Sequence, residues 1–185
     1  MLKSDFVVDI EAIRKRAREH MEEGPVTGSY KANRESVLKI LNDALATEII
    51  CVLRYKRHHY MAKGINHEPI ADEFLKHAQE EEEHADRIAV RIVQLGGEAD
   101  FNPGNLTERS HSQYVEGSDL IEMIKEDLIA ERIAIDTYRE IIRYLGEKDP
   151  TTRRLMEEIL EKEEEHADEL GNFLSQYGSG DNGVK

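Results

Sequence analysis

Four long segments of this chain carry apolar residues at alternating spacings of three and four, the pattern of helices that pack in a bundle. Glycine- and proline-containing breakers separate the segments, and the middle breaker is long enough to cross a bundle. The pattern therefore predicts an all-α fold, an antiparallel four-helix bundle with one long crossover between its second and third helices. The predicted helices run over Ala32–Lys63, Glu68–Leu95, Ser118–Leu145 and Thr151–Tyr177.

Shorter segments flank the predicted bundle. The N-terminal arm, residues 1–31, has an amphipathic pattern from Val8 to Met21 that predicts a small outer helix. Acidic neighbours cancel the basic stretch Arg14–Arg18, so we do not expect the arm to bind DNA. We expect the bundle to occupy residues 32–177, and the Gly-, Ser- and Asn-rich tail at 178–185 to be disordered.

The chain also repeats part of its own sequence. Glu-Glu-Glu-His-Ala-Asp occurs at 81–86 and again at 163–168, a separation of 82 residues. Glu48 and Glu131 lie 83 residues apart, as do Tyr55 and Tyr138. The repeat predicts two similar helical hairpins, one in each half of the bundle.

Each apolar seam is interrupted by ionisable residues. The first and third helices have one seam glutamate each, whereas the second and fourth have a glutamate followed three residues later by a histidine. A separation of three places both side chains on one helix face, about 60° apart. The six seam residues are Glu48, Glu81, His84, Glu131, Glu163 and His166.

Ionised carboxylates at these inward positions need compensation, because each costs several kcal/mol when buried without a partner. The seams carry no basic residue at that level, and two metal ions would supply the charge. Carboxylate oxygens and neutral imidazole nitrogens suit iron or manganese. A helical interaction module without metal would leave six buried polar groups unexplained. The glutamates beside the seam fit solvated charge runs, namely Glu80, Glu82, Glu83, Glu164 and Glu165.

These residues resemble the ferritin-like di-iron carboxylate superfamily, whose bundles take one glutamate from each of two helices and Glu-x-x-His from each of the others. The resemblance extends over 32–177 and is greatest to bacterioferritin, including the stretch 127–131 and Tyr55, seven residues after Glu48. It implies that Glu81 and Glu163 bridge two iron ions. It also implies that one metal position is completed by Glu48 with His84, and the other by Glu131 with His166.

The chain departs from bacterioferritin in two places. Glu82 stands where bacterioferritin has its haem-ligating methionine, so we expect no haem. Only 19 residues follow His166, too few for a fifth helix. That shortening is similar to Dps-type proteins, which form shells of about twelve subunits rather than about 24. Dps-type proteins usually place their metal site between subunits, whereas this chain carries a complete ligand set within one bundle.

The resemblance implies a ferroxidase that oxidises Fe(II) with O2 or H2O2 and stores ferric mineral in a homo-oligomeric shell of about twelve subunits, with about 24 as the other size. Manganese or zinc are possible substitutes for iron. The alternative is a stand-alone di-iron or di-manganese peroxidase or catalase of rubrerythrin-like type. Rubrerythrins usually add a cysteine-rich domain, which the single Cys51 excludes, and this favours storage.

Charge and hydropathy restrict the cellular setting. The 39 acidic and 25 basic residues give a formal charge of −14, which repels nucleic acid and anionic membranes and attracts cations. No apolar run approaches the ~20 residues of a membrane-spanning helix, and the first ten residues lack the apolar core of a signal peptide. One cysteine suits a reducing compartment. We expect a cytoplasmic protein that does not bind membranes.

Several neighbouring residues have weaker assignments. Tyr55 and Tyr138 lie two turns beyond a seam glutamate, where a phenol could hydrogen-bond a ligand or donate an electron, and we include Tyr55 among the catalytic candidates. His77 fits either an accessory iron site or a plain core histidine. Asp86, Asp127 and Asp168 are candidate partners of the ligands. Four further histidines are predicted to be surface or loop residues, namely His58, His59, His67 and His111.

Overall fold

A computed structural model describes residues 7–64 and 67–177. All regular structure within these ranges is helical, which confirms the predicted fold class. The elements are α1 (Ile10–Arg16), a 3₁₀ turn (Met21–Glu23), α2 (Arg34–Met61), α3 (His67–Gln94), α4 (Leu106–Arg109), α5 (Leu120–Leu145) and α6 (Pro150–Tyr177).

The four long helices begin and end close to their predicted limits because the stop and start signals are local. The Asn33 side chain accepts a hydrogen bond from the amide of Ser36, and Asp119 and Asp149 cap α5 and α6 in the same way. Pro150 occupies the first turn of α6, where its missing N–H costs nothing. Gly146 ends α5 with a positive φ of 48°.

The bundle packs as two hairpins, α2 against α3 and α5 against α6. Most of its apolar core falls into two large clusters. One is centred on residues such as Leu41, Ile88 and Tyr138, and the other on residues such as Phe74 and Ile124. The ionisable seam positions lie between the two clusters in every helix, so they form a polar layer across the middle of the core.

A buried polar cluster ties α2 to the crossover and to α5. Asp127 accepts one hydrogen bond from Arg54 Nε at 2.8 Å and lies 2.8 Å from His58 Nδ1, and all three side chains are buried. The prediction of a surface His58 is therefore wrong, and Asp127 supports this cluster rather than a histidine of the polar layer. The seam pattern could not show this, because the crossover covers that side of α2.

The N-terminal arm differs from its prediction. Its helix α1 ends at Arg16 instead of continuing to Met21, and it buries none of its residues. A short helix is stabilised mainly by packing of its apolar face, and this face packs against nothing within the described ranges that would stabilise further turns. Tyr30 anchors the end of the arm by donating a hydrogen bond to Asp149 at 2.8 Å. The prediction for residues 178–185 lies outside the described residues.

Two of the other histidines predicted at the surface are at least partly exposed, His67 and His111, and His59 is half-buried against the backbone of Ala71. Among the described helices, none is both long enough and apolar enough to cross a membrane.

Candidate metal centre

The six seam residues form one buried layer. Each has an exposed fraction of 3% or less. The helices supply them as the sequence predicts: α2 and α5 contribute one glutamate each, and α3 and α6 contribute a glutamate and a histidine each. The layer is therefore built inside one chain.

The side chains divide into two overlapping groups of possible metal ligands. In the first, one donor atom from each of Glu48, Glu81, His84 and Glu163 lies within 4.8 Å of the others. In the second, the same holds for Glu81, Glu131, Glu163 and His166. Glu81 and Glu163 belong to both groups, so the arrangement has the symmetry of the sequence repeat.

The two histidines direct the same ring atom into the layer. His84 Nδ1 lies 3.1 Å from Glu163 Oε1 and 3.5 Å from an oxygen of Glu48 and of Glu81. His166 Nδ1 lies 3.3 Å from Glu81 Oε1 and 3.8 Å from Glu163 Oε2. Both imidazoles thus converge on the two shared carboxylates.

Four atoms of this layer lack a hydrogen-bond partner. Glu81 Oε1, Glu163 Oε1, His84 Nδ1 and His166 Nδ1 are buried and unpaired, and they make up most of the unpaired buried side-chain atoms in the described ranges. Buried polar atoms are almost always satisfied in folded proteins. A convergent set that is not satisfied fits two bound cations, and the oxygen and imidazole donors fit iron, manganese or zinc.

The pKa shifts of the layer also indicate that it needs positive charge. Burial, followed by repulsion from Glu81, raises the pKa of Glu48 and of Glu163 well above the usual carboxyl range. Burial opposes protonation of the histidines, but the attraction of the carboxylates that face them overcomes it and raises the pKa of His84 to about 10 and of His166 to about 9. Without metal, protons must therefore supply the positive charge that the four carboxylates require.

Two tyrosines hold the carboxylates from opposite hairpins. Tyr55 of α2 donates to Glu131 of α5, and Tyr138 of α5 donates to Glu48 of α2. Both phenols are completely buried. The sequence indicated that these tyrosines could hydrogen-bond ligands. It did not indicate that each phenol donates to a glutamate of the other hairpin, because that depends on how the helices pack.

Outside the layer, Glu80 was predicted only as a solvated residue of the acidic run, but it contacts a histidine of the layer. It lies 2.8 Å from His166 Nε2, and this contact fixes the orientation of the ring. The side chain is only partly exposed, whereas Glu82 and Glu164 are exposed as predicted. Asp86 and Asp168 are exposed on the outer faces of their helices. The acidic run gave no signal that singled out Glu80.

The fold and this layer define a four-helix-bundle protein with an internal carboxylate–histidine centre. The family model for the ferritin-like domain matches residues 38–178, and the chain belongs to the ferritin-like family.

Its relatives include proteins of the bacterioferritin and Dps types, as the resemblance implied. The DNA protection during starvation protein of Pyrococcus furiosus is 30% identical over 149 residues, which cover 79% of this chain and 80% of the relative. A dodecameric thioferritin, the bacterioferritin-related protein of Bacteroides fragilis, has a TM-score of 0.77 at 31% identity and covers 80% of this chain and 89% of its own. The bacterioferritin of Desulfovibrio desulfuricans, whose diiron site has been described in different catalytic states, has a TM-score of 0.69 at 26% identity, with 79% and 84% covered.

Proposed function

We propose that this protein is a ferroxidase that binds two Fe2+ ions as substrate in the buried layer, oxidises them with O2 or H2O2 and stores the ferric product. The observation that carries the proposal is the convergence of four unpaired, buried donor atoms on two overlapping ligand groups. The similarity to a bacterioferritin with a diiron site supports it.

In this proposal Glu81 and Glu163 bridge the two ions, because each belongs to both ligand groups. Glu48 with His84 completes one position, and Glu131 with His166 completes the other. Four ionised glutamates carry four negative charges, and two divalent ions balance them. The neutral imidazoles then add ligands without adding charge, so the layer can remain buried.

Each bound ferrous ion supplies one electron to the oxidant. The chain's contribution is to hold the ligands and exclude water. The two apolar clusters close the layer from both ends. Tyr55 and Tyr138 fix the terminal glutamates, and Glu80 fixes His166, so the donor atoms are held in place before metal arrives.

Stopped-flow absorbance of ferrous oxidation tests this assignment. Glu81→Ala and Glu163→Ala should each reduce the rate to that of Fe2+ in buffer, because both metal positions lose a ligand. Glu82→Ala and Glu164→Ala, which remove the next, exposed carboxylate, should leave the rate unchanged. Native rates in the first pair would refute the proposal.

Storage requires a hollow assembly, and the similarity to a dodecameric relative supports a homo-oligomer of about twelve subunits here. Light scattering of the purified protein measures this directly. The complete ligand set within one chain also favours the stand-alone peroxidase or catalase, which needs no shell. A mass near twelve or 24 subunits supports storage, and a monomer or dimer supports the stand-alone enzyme.

We propose that the protein binds no haem, because the exposed Glu82 stands where bacterioferritin has its haem-ligating methionine. An absorption spectrum of the purified protein should lack a haem band. A spectrum with stoichiometric haem would contradict this part of the proposal.

A further inference from the structure

A second cluster of possible metal ligands lies between α3 and α6, beside the buried layer. It consists of Glu73 and His77 of α3 and Glu169 of α6, whose donor atoms all lie within 4.8 Å of one another. His77 Nε2 is 2.8 Å from Glu169 Oε2 and 3.5 Å from Glu73 Oε1. His77 is fully buried and both carboxylates are partly exposed, so the cluster connects the surface to the core.

The hydrogen bonds of His77 do not balance. Its Nδ1 lies 3.3 Å from the Tyr55 hydroxyl, whose only proton is donated to Glu131. A neutral imidazole has one N–H, so either Nδ1 or Nε2 must direct a lone pair at an oxygen that has no proton to give. A cation at Nε2 would resolve the mismatch.

Lys76 supplies some of the missing positive charge from outside. Its ammonium donates to Glu73 at 2.7 Å and to Glu169 at 3.2 Å, and the side chain is 46% exposed. This contact offsets one of the two negative charges and leaves the mismatch at His77 in place. A lysine on a flexible, half-exposed stem can move into solvent when a metal ion takes its position.

Further possible metal ligands lie between this cluster and the buried layer. The rings of His77 and His166 stack with their centroids 4.0 Å apart. His77, Glu80 and His166 also form a ligand group within 4.8 Å. Overlapping groups thus lead from the partly exposed Glu169 to the second ligand group of the layer.

The sequence repeat shows that only one half of the bundle has this path. The residues 82 positions after Glu73, His77 and Glu80 are Leu155, Ile159 and Lys162, and the residue 82 positions before Glu169 is Arg87. The repeat keeps the ligands of the layer but replaces every member of the cluster with an apolar or basic residue. A general need for helix packing does not account for this asymmetry.

We propose that Glu73, His77 and Glu169 bind a third divalent transition-metal ion, such as Fe2+, Mn2+ or Zn2+, and that this site is the entrance through which metal reaches the buried layer. One imidazole and two carboxylates suit these ions. The entrance role rests on the proposed function, whereas the binding site does not.

Binding can be counted with Co2+ by equilibrium dialysis, without any oxidation. The double variant Glu73→Gln with Glu169→Gln, whose substituted side chains are partly exposed, should bind one Co2+ fewer per chain than the native protein. Glu165→Gln removes an exposed carboxylate one turn before Glu169 and should bind the native number. An unchanged number in the double variant would overturn the site.

A second variant separates this proposal from the function of the layer. Glu81→Ala with Glu163→Ala disables the layer, and it should still bind one Co2+ that is lost when Glu73→Gln and Glu169→Gln are added. If the layer binds no metal in the native protein but this single ion persists, the proposed function fails and the third site stands. Absence of the ion overturns the third site.

The entrance role is tested by the rate at which Co2+ fills the layer, followed by its absorption in a stopped-flow instrument. The Glu73→Gln, Glu169→Gln variant should fill the layer about tenfold or more slowly, because local attraction of cations raises on-rates by about that factor. Filling at the native rate would overturn the entrance role.

Discussion

Tyr55 and Tyr138 show how single side chains couple the two halves of the bundle. Each phenol belongs to one hairpin and donates to a glutamate of the other, so the paired carboxylates are held across the hairpin interface. Burial, followed by the charge of the nearby glutamate, raises the pKa of both hydroxyls well above the usual tyrosine value. The phenols therefore remain donors throughout the physiological range.

Removing either hydroxyl should weaken metal binding. Tyr55→Phe and Tyr138→Phe each leave a ligand carboxylate free to reorient, and loss of such a partner typically lowers metal affinity about 10–100-fold. A Co2+ titration measures the change, and Tyr144→Phe, at a partly exposed position of α5, is the matched control. Native affinity in both variants would show that the hydrogen bonds do not hold the ligands.

At the residue scale, the sequence predicted which side chains point inward but not what they meet. The seam register placed Glu81 and His84 on one face because that spacing is a property of a single helix. The contacts of His58, Glu80 and Glu169 depend on the rotation of one helix against another. No pattern within one segment encodes that rotation.

At the element scale, the crossover between α3 and α5 is held by side chains of α2. Arg54 donates to the carbonyl of Gln113 at 2.9 Å, and Arg57 donates to the carbonyl of Glu116 at 2.7 Å. Asp127 balances the buried guanidinium of Arg54. An otherwise irregular segment thereby satisfies its backbone carbonyls and stays against the bundle.

Breaking the pair between Arg54 and Asp127 should destabilise the protein strongly. Asp127→Ala leaves a buried guanidinium without its counter-charge, which costs about 3–5 kcal/mol. Urea denaturation measures the free energy of unfolding, with the exposed Asp136→Ala on the same helix as control. Equal values for the two variants would contradict a stabilising role for the pair.

The boundaries of the long helices could be predicted because their signals are local, such as the Asp149-Pro150 start of α6 and the Gly146 end of α5. The single-turn helix α4 was not predicted. Its one buried residue, Leu106, packs with Ala46 and Ile50 of α2. A turn stabilised by such a contact has no periodic pattern of its own.

At the scale of the whole molecule, the buried layer links folding to protons and metal. Folding raises the pKa of His84 from 6.5 to about 10 and that of His166 from 6.5 to about 9. The native state therefore holds these protons more tightly than the unfolded chain does. A metal ion that binds the layer as proposed would have to displace them, because only the unprotonated nitrogen is a ligand.

The metal-free protein should lose stability as the pH rises. A histidine with a raised pKa contributes stability that is fully present below 6.5 and is lost as the pH rises through about 9 to 10. The raised carboxyl pKa values of Glu48 and Glu163 act in the same direction. The pKa of Glu81 is lowered instead, and this shift changes the stability only when the pH falls below the ordinary carboxyl value of 4.5.

Differential scanning calorimetry from pH 7 to pH 10 measures this effect. Each ~1 kcal/mol lost lowers Tm by about 2–4 °C in a domain of this size. The Zn2+-loaded protein should lack this decline, since metal replaces the protons. A metal-free Tm that rises over the same interval would contradict the proton linkage.

Anomalous diffraction from crystals loaded with Zn2+, which is redox-inert, tests the central claim most directly. The account predicts two peaks within the buried layer of each chain, both contacted by Glu81 and Glu163 at about 2.0–2.2 Å. One peak should also contact Glu48 and His84. The other peak should also contact Glu131 and His166. A layer without peaks, in which the six side chains pair only with one another, would contradict it.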